Sequence, residues 1–159
     1  MRSLLRRTLT LGLVAAVATA SAISLSGQAS DPEMGTWRLN VAESKFDPGP
    51  SPQSQILKQE PWEGGLKQTF DTVNAQGQAF HQEIIAKFDG EDRGAQPADT
   101  RAFRRIDDHT IEWVNKTNGQ VTFTNRIVIS ADGKTMTQTT TGKSAQGQAV
   151  NNVIVRAKQ

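Results

Sequence analysis

From Gly35 onward the chain repeats one unit: a short run rich in Val, Ile, Thr, Phe and Trp, closed about every ten residues by turn-forming residues. No comparable helical period runs through it, so the pattern predicts an all-β chain built as a meander. Strands are expected at Thr36–Leu39, Gln55–Gln59, Leu66–Val73, Ala79–Phe88, Arg101–Ile106, Thr110–Lys116, Val121–Ser130, Thr135–Thr141 and Ala149–Ala157. Asn118-Gly119, Asp132-Gly133 and Asp89-Gly90 suit hairpin turns that need positive φ, and consecutive hairpins make neighbouring strands antiparallel. The near-verbatim repeats Ala75–Ala79 and Ala145–Ala149 read as two reused hairpin loops. The segment from Phe46 to Pro52 holds three prolines, which exclude a helix or central strand and make it a surface loop, either a stiff connector or a lid.

The first residues follow a different rule. Arg2, Arg6 and Arg7 precede an apolar stretch from Leu9 to Ala18, and Ala20-Ser21-Ala22 offers a small-residue cleavage pattern: a signal peptide over residues 1–22, with a second candidate cut after Ala29. A spanning helix needs about 20 apolar residues, and Thr19 and Ser21 interrupt this run, so no membrane span is expected once the signal is removed. Arg6-Arg7 also allows a twin-arginine signal, although Leu5 stands where Ser or Thr is usual. The protein is therefore expected to be exported, to the periplasm or the medium. Removing the signal leaves 15 basic against 16 acidic residues, so the basic character of the whole chain is no argument for nucleic acid. The chain has no cysteine, which excludes disulfides and thiolate metal sites.

Alternation assigns an inward face to the clearest strands: Val121, Phe123, Asn125, Ile127 and Ile129; Phe80, Gln82, Ile84, Ala86 and Phe88; Leu66, Gln68 and Phe70. Each carries an amide near its middle, where a dry core would hold an aliphatic side chain. Such amides need cross-strand partners, ordered water or a polar-headed ligand, unless they lie at a rim or the strands are shifted in phase. In Arg101–Ile106 either Phe103 or the pair Ala102 and Ile106 can face in, and an arginine accompanies both choices.

Gly35-Thr36-Trp37-Arg38-Leu39 at the head of the meander resembles the first strand of the lipocalin and fatty-acid-binding protein (calycin) superfamily. Asp132-Gly133-Lys134, the Thr-rich strand after it and a last strand carrying Arg156 resemble that superfamily's final hairpin. The start, continued by Ser44-Lys45-Phe46, is also similar to a group of uncharacterised exported bacterial proteins. The resemblance implies one lipocalin-like, antiparallel up-and-down β-barrel of about 8–10 strands over residues 35–158. It implies a closing pair in which Arg156 packs across the Trp37 ring. A fatty-acid-binding protein would use an arginine near this position for a carboxylate, but the usual Arg-x-Tyr ending is here Arg156-Ala157-Lys158, and no tyrosine occurs in the chain. The Pro-rich loop also cannot form that family's two lid helices.

No catalytic motif or phosphate loop occurs, and with two histidines and no cysteine neither a metal site nor a cofactor is expected. Outward faces such as Thr122, Thr124 and Arg126 are too polar for an outer-membrane barrel. Two non-enzymatic readings remain. In one, a monomer carries a small apolar or amphiphilic molecule against Phe70, Phe80, Gln82, Ile84, Trp113, Phe123, Asn125 and Ile127. In the other, the barrel is filled by its own side chains and serves as a structural or protein-interaction module. For the export signal, N-terminal sequencing of the protein recovered from a secreting host should give Ile23 or Ser30; an intact Met1 would contradict a cleaved signal.

Overall fold

The computed structural model describes residues 31–96 and 98–159, so the expected signal peptide over residues 1–22 lies outside the described residues. Ten strands follow one another: β1 (Gly35–Leu39), β2 (Ser54–Trp62), β3 (Gly65–Val73), β4 (Ala79–Lys87), β5 (Arg93–Gln96), β6 (Asp99–Asp107), β7 (Thr110–Thr117), β8 (Gln120–Ile129), β9 (Thr135–Lys143) and β10 (Ala149–Lys158). They form one antiparallel sheet in the order β4-β3-β2-β1-β10-β9-β8-β7-β6-β5. This is the antiparallel up-and-down arrangement expected from the sequence. The first strand joins the last, with Trp37 opposite Lys158 and Leu39 opposite Arg156, and the sheet curls around a single interior.

Nine strands coincide with the nine expected from the sequence, within a few residues at each end; β5 is additional. Its sequence, Arg-Gly-Ala-Gln, has no β-branched or aromatic residue, and it pairs with β6 through a register shift. The barrel is also less complete than a closed up-and-down cylinder. Asp89-Gly90 is not a hairpin turn, because β4 and β5 are the two ends of the sheet and share no ladder. Gly90 does take positive φ, but its N–H donates to the Phe103 carbonyl, and Asp89 forms a lone bridge to Arg104 of β6. A hairpin turn absent from the sequence reading, Glu63-Gly64 with both φ positive, joins β2 and β3. The two repeated loops have matching turns: Gly77 N–H donates to Asn74 and Gly147 N–H to Ser144.

After β1, which is short, the chain runs on beside β10 as far as Asp47. Lys45 and Val153 exchange backbone hydrogen bonds of 2.7 and 2.8 Å, and Asn151 N–H donates to the Asp47 carbonyl at 2.7 Å. The start of the Pro-rich loop is thus strapped to the sheet.

Apolar side chains fill one end of the interior. Trp37, Leu57, Ile127, Ile129 and Met136 form one buried cluster; Leu66, Ala86, Phe103 and Ile111 form the other. Each large side chain withdrawn there contributes roughly 1.5–3 kcal/mol. In β6 it is Phe103 that faces in, stacking on Trp113 at 5.4 Å between ring centroids, while Ile106 is exposed. Arg101 and Arg105 share its inward phase.

The turn before β1 closes this end. The Glu33 carbonyl accepts from Trp37 Nε1 at 2.8 Å and from Gln59 Nε2 at 2.7 Å, and Gln68 Nε2 donates to Gln59 Oε1 at 2.7 Å. The Glu33 side chain is buried against the Arg105 guanidinium, which also reaches Asp31 at 3.5 Å and lies over the Phe88 ring at 4.6 Å. The expected stacking of Arg156 on Trp37 is not found. Lys158 Nζ sits over that ring, 5.0 Å from its centroid, and donates to the Pro32 carbonyl at 3.0 Å. The register explains the difference: Lys158 is directly opposite Trp37, and Arg156 lies two residues further along β10.

Removing one partner of a buried ion pair leaves the other charge uncompensated. Arg105→Met should therefore lower stability by about 3–5 kcal/mol, a melting-temperature fall on the order of 10 °C. The double variant Arg105→Met/Glu33→Gln should recover most of it in thermal melts followed by circular dichroism. No recovery would place the loss elsewhere than in the buried carboxylate.

Candidate ligand-binding interior

Beyond the apolar end, the inward-facing side chains become polar and leave a cavity of about 390 Å³. Of the residues expected to line it, Phe70, Phe80, Gln82, Ile84, Trp113 and Asn125 do so. Phe123 and Ile127 do not. Ile127 is 1% exposed within the apolar cluster below. Phe123 lies beside Asn115, Thr122 and Gln82 in an adjoining cleft that shares Gln82, Arg101 and Asn115 with the cavity. The β7–β8 ladder keeps Phe123 in phase with Asn125 and breaks only beyond it, at the Asn115/Lys116 bulge; the Phe123 ring packs against Gly142, where a Cβ would stand 2.8 Å from it.

The remaining wall was not recognised as lining: Gln55, Thr72, Arg101, Asn115, Gln138 and Ile154, together with Arg156, which had been assigned to the closed end. A signal existed for several of them. Gln55 shares the phase of Leu57, Gln138 that of Met136, and Arg156 that of Ile154. Extending the alternation along β2, β9 and β10 would have placed all three inside.

The buried amides divide by depth. Gln68 is satisfied by its cross-strand neighbour Gln59. Asn125 Nδ2 donates to Asn115 Oδ1 at 2.9 Å, while Asn125 Oδ1 accepts from Thr140 Oγ1 at 2.8 Å. Gln82 is exposed on the cavity wall.

Arg156 is the cavity's most unusual member. It is 2% exposed, yet its partners are neutral: Gln55 Oε1 accepts from Nε at 3.2 Å and from Nη2 at 2.6 Å, and Gln138 Oε1 accepts from Nη1 at 3.0 Å. Threonines turn both amides toward it. Gln55 Nε2 donates to Thr72 Oγ1 at 3.0 Å and Gln138 Nε2 to Thr140 Oγ1 at 3.3 Å, leaving each carbonyl for the guanidinium. Among the described residues Arg156 forms no ion pair, and burial alone pushes its pKa down to about 10, so it remains charged at neutral pH. Burial therefore weighs against the charged form in the unliganded fold at every pH below about 10. Five N–H donors less three bonds leave two, one on each terminal nitrogen. That pair fits two oxygens of one acid group.

Arg101 lines the same cavity from β6, half-buried, and burial lowers its pKa as well. No group of three His, Asp or Glu side chains placed to hold a metal occurs among the described residues. Since burial disfavours the Arg156 charge while its removal leaves the Gln55 and Gln138 carbonyls without their donor, Arg156→Met should shift the melting temperature by no more than about 2–3 °C. A fall of several degrees would instead make the arginine a structural element.

The chain matches no family model, and no match was found among curated proteins. Among solved structures it is similar to the zebrafish ileal bile acid-binding protein crystallised with cholic acid, at 12% identity and a TM-score of 0.48, covering 80% of this chain and 99% of that one.

Proposed function

We propose that the protein is a non-catalytic carrier or sensor that holds one small amphiphile with an acidic head group in its interior, and that it works after export. One observation carries this reading: a buried, charged guanidinium, hydrogen-bonded to two neutral amides and without an ion pair among the described residues, faces an interior cavity. Neutral amides orient that guanidinium without neutralising it, so an anion from outside is the missing partner. Phe70, Phe80, Ile84, Trp113 and Ile154 offer an apolar wall for the rest of the molecule. The cavity volume falls within the roughly 300–1,000 Å³ usual for small-molecule sites. Export is supported by the basic and apolar composition of residues 1–22.

Titration with 11-(dansylamino)undecanoic acid, whose emission rises on leaving water, tests the reading. One probe per chain should bind, and Arg156→Met should weaken binding about tenfold or more, as expected for a charge-assisted hydrogen-bond pair worth about 1.5–3 kcal/mol. The corresponding alcohol should bind both proteins equally weakly. Equal binding of acid and alcohol by the wild-type chain would contradict the anion site.

A further inference from the structure

We propose that a second copy of this chain adds to the free edge of β4, joining two sheets through an antiparallel β4–β4 pair. The sheet has two ends, β4 and β5, and only one of them is protected. β5 is four residues long, contains Gly94 and pairs with β6 through a register shift, devices that make an edge strand unfit for a partner. β4 has none of them. It runs nine residues in unbroken register with β3, carries no proline or glycine, and has its one lysine at the last position, Lys87. Its first half is also uncovered on both faces. From Ala79 to Glu83 every residue is exposed, including Phe80 and Gln82, whose phase is inward; Phe80 is 55% exposed. Ile85, on the outer face, is 39% exposed. A strand with both faces and one edge open is a template for another strand.

The residues along this edge select the occupant. Two sheets continue as one only if each residue opposes a residue of its own face, so the two-fold axis of a β4–β4 pair passes through a residue. Centred on Glu83, the pair sets two carboxylates against each other. Centred on His81 or Ile84, it sets a charged or amide side chain against an apolar one. Centred on Gln82, every opposition is complementary: Gln82 faces its own copy, His81 faces Glu83, Phe80 faces Ile84 and Ala79 faces Ile85. Both exposed apolar side chains of the strand then gain apolar neighbours. The charges fall into an alternating row on the outer face. Within one chain His81 Nδ1 lies 2.7 Å from Asp71 Oδ1, and Lys67 Nζ lies 3.2 Å from Glu83 Oε1. Across the pair the order becomes Asp71, His81, then Glu83 and Lys67 of the second copy, and an imidazolium there donates one N–H to a carboxylate of each chain. Phe80, Gln82 and Ile84 also line the cavity, so the second copy lies along a wall of the interior. The unit is then a dimer and not the monomer expected from the sequence.

The chain has no cysteine, so single introduced thiols report the register. Sedimentation velocity of the exported protein should show a concentration-dependent change from monomer to twice that mass. Opposed residues of an antiparallel pair have Cα atoms about 4.5–5.5 Å apart, within disulfide reach. Under mild oxidation Gln82→Cys, on the axis, should therefore give a disulfide-linked dimer about tenfold faster or more than Thr139→Cys, because pairing raises the local thiol concentration. Thr139 is the control: it is exposed, on β9, and laddered on both sides. His81→Cys and Glu83→Cys should each link slowly alone and fast when mixed, since only the mixture brings opposed positions together. Both lie on the outer face, so they read the register even if the change at Gln82 disturbs the cavity wall. A single monomeric species up to about 1 mM, the weak end of specific association, would overturn the dimer. A dimer in which Gln82→Cys links no faster than Thr139→Cys, and the mixture no faster than either variant alone, would overturn the β4 edge as its interface. Neither readout requires a ligand, so both are independent of the carrier reading.

Discussion

The pairing of β1 with β10 is the constraint from which the rest follows. A meander of ten short strands could lie flat; joining its first strand to its last forces the sheet around an interior and gives every strand an inside and an outside. The Glu33 carbonyl then ties the turn before β1 to Trp37 of β1 and Gln59 of β2, and Arg105 anchors the same residue from β6. One backbone oxygen and one buried carboxylate thus bind the neighbours β1 and β2 and the distant β6 into a floor. Since Trp37 is buried completely, that floor also fixes the height at which apolar packing stops.

Above the floor the interior obeys a different logic. A core built only for stability would place aliphatic side chains at Gln55, Gln138 and Arg156, since a buried charge without a counter-charge costs more than it returns. Replacing either glutamine with glutamate would neutralise the guanidinium from within and occupy its free donors. The chain instead presents two carbonyl dipoles, each aimed by a threonine hydroxyl, which hold the guanidinium in place while leaving its charge available. Such an arrangement is stable enough to fold and is best satisfied by an anion that arrives later.

Much of this was legible before the structure. Alternation and turn chemistry marked nine strands, the antiparallel meander and the inward face that holds Leu66, Gln68 and Phe70. Six of the eight proposed lining residues stand in the cavity. What escaped depended on register and on distance in sequence. β5 lacks the residue types that signal a strand, and no local pattern distinguishes a hairpin at Asp89-Gly90 from a link between sheet edges. Lys158 and Arg156 are two residues apart on the same face, so only the pairing with Trp37 decides which of them covers the ring. The depth along β8 that separates Asn125 from Ile127 on one side and from Phe123 on the other is equally invisible to alternation. The amides were noticed, but their partners, such as Gln59 for Gln68, lie on neighbouring strands.

The account turns on whether the interior holds an acid that Arg156 binds. Native mass spectrometry of the protein, exported from a host and purified without denaturant or organic solvent, measures that directly. The account predicts a discrete added mass in the wild-type chain, released by organic extraction as an acidic amphiphile and missing from Arg156→Met. A bare polypeptide mass in the wild-type chain that persists after incubation with a lipid extract of the source cells would contradict it and leave a barrel whose contacts are made from its outer face.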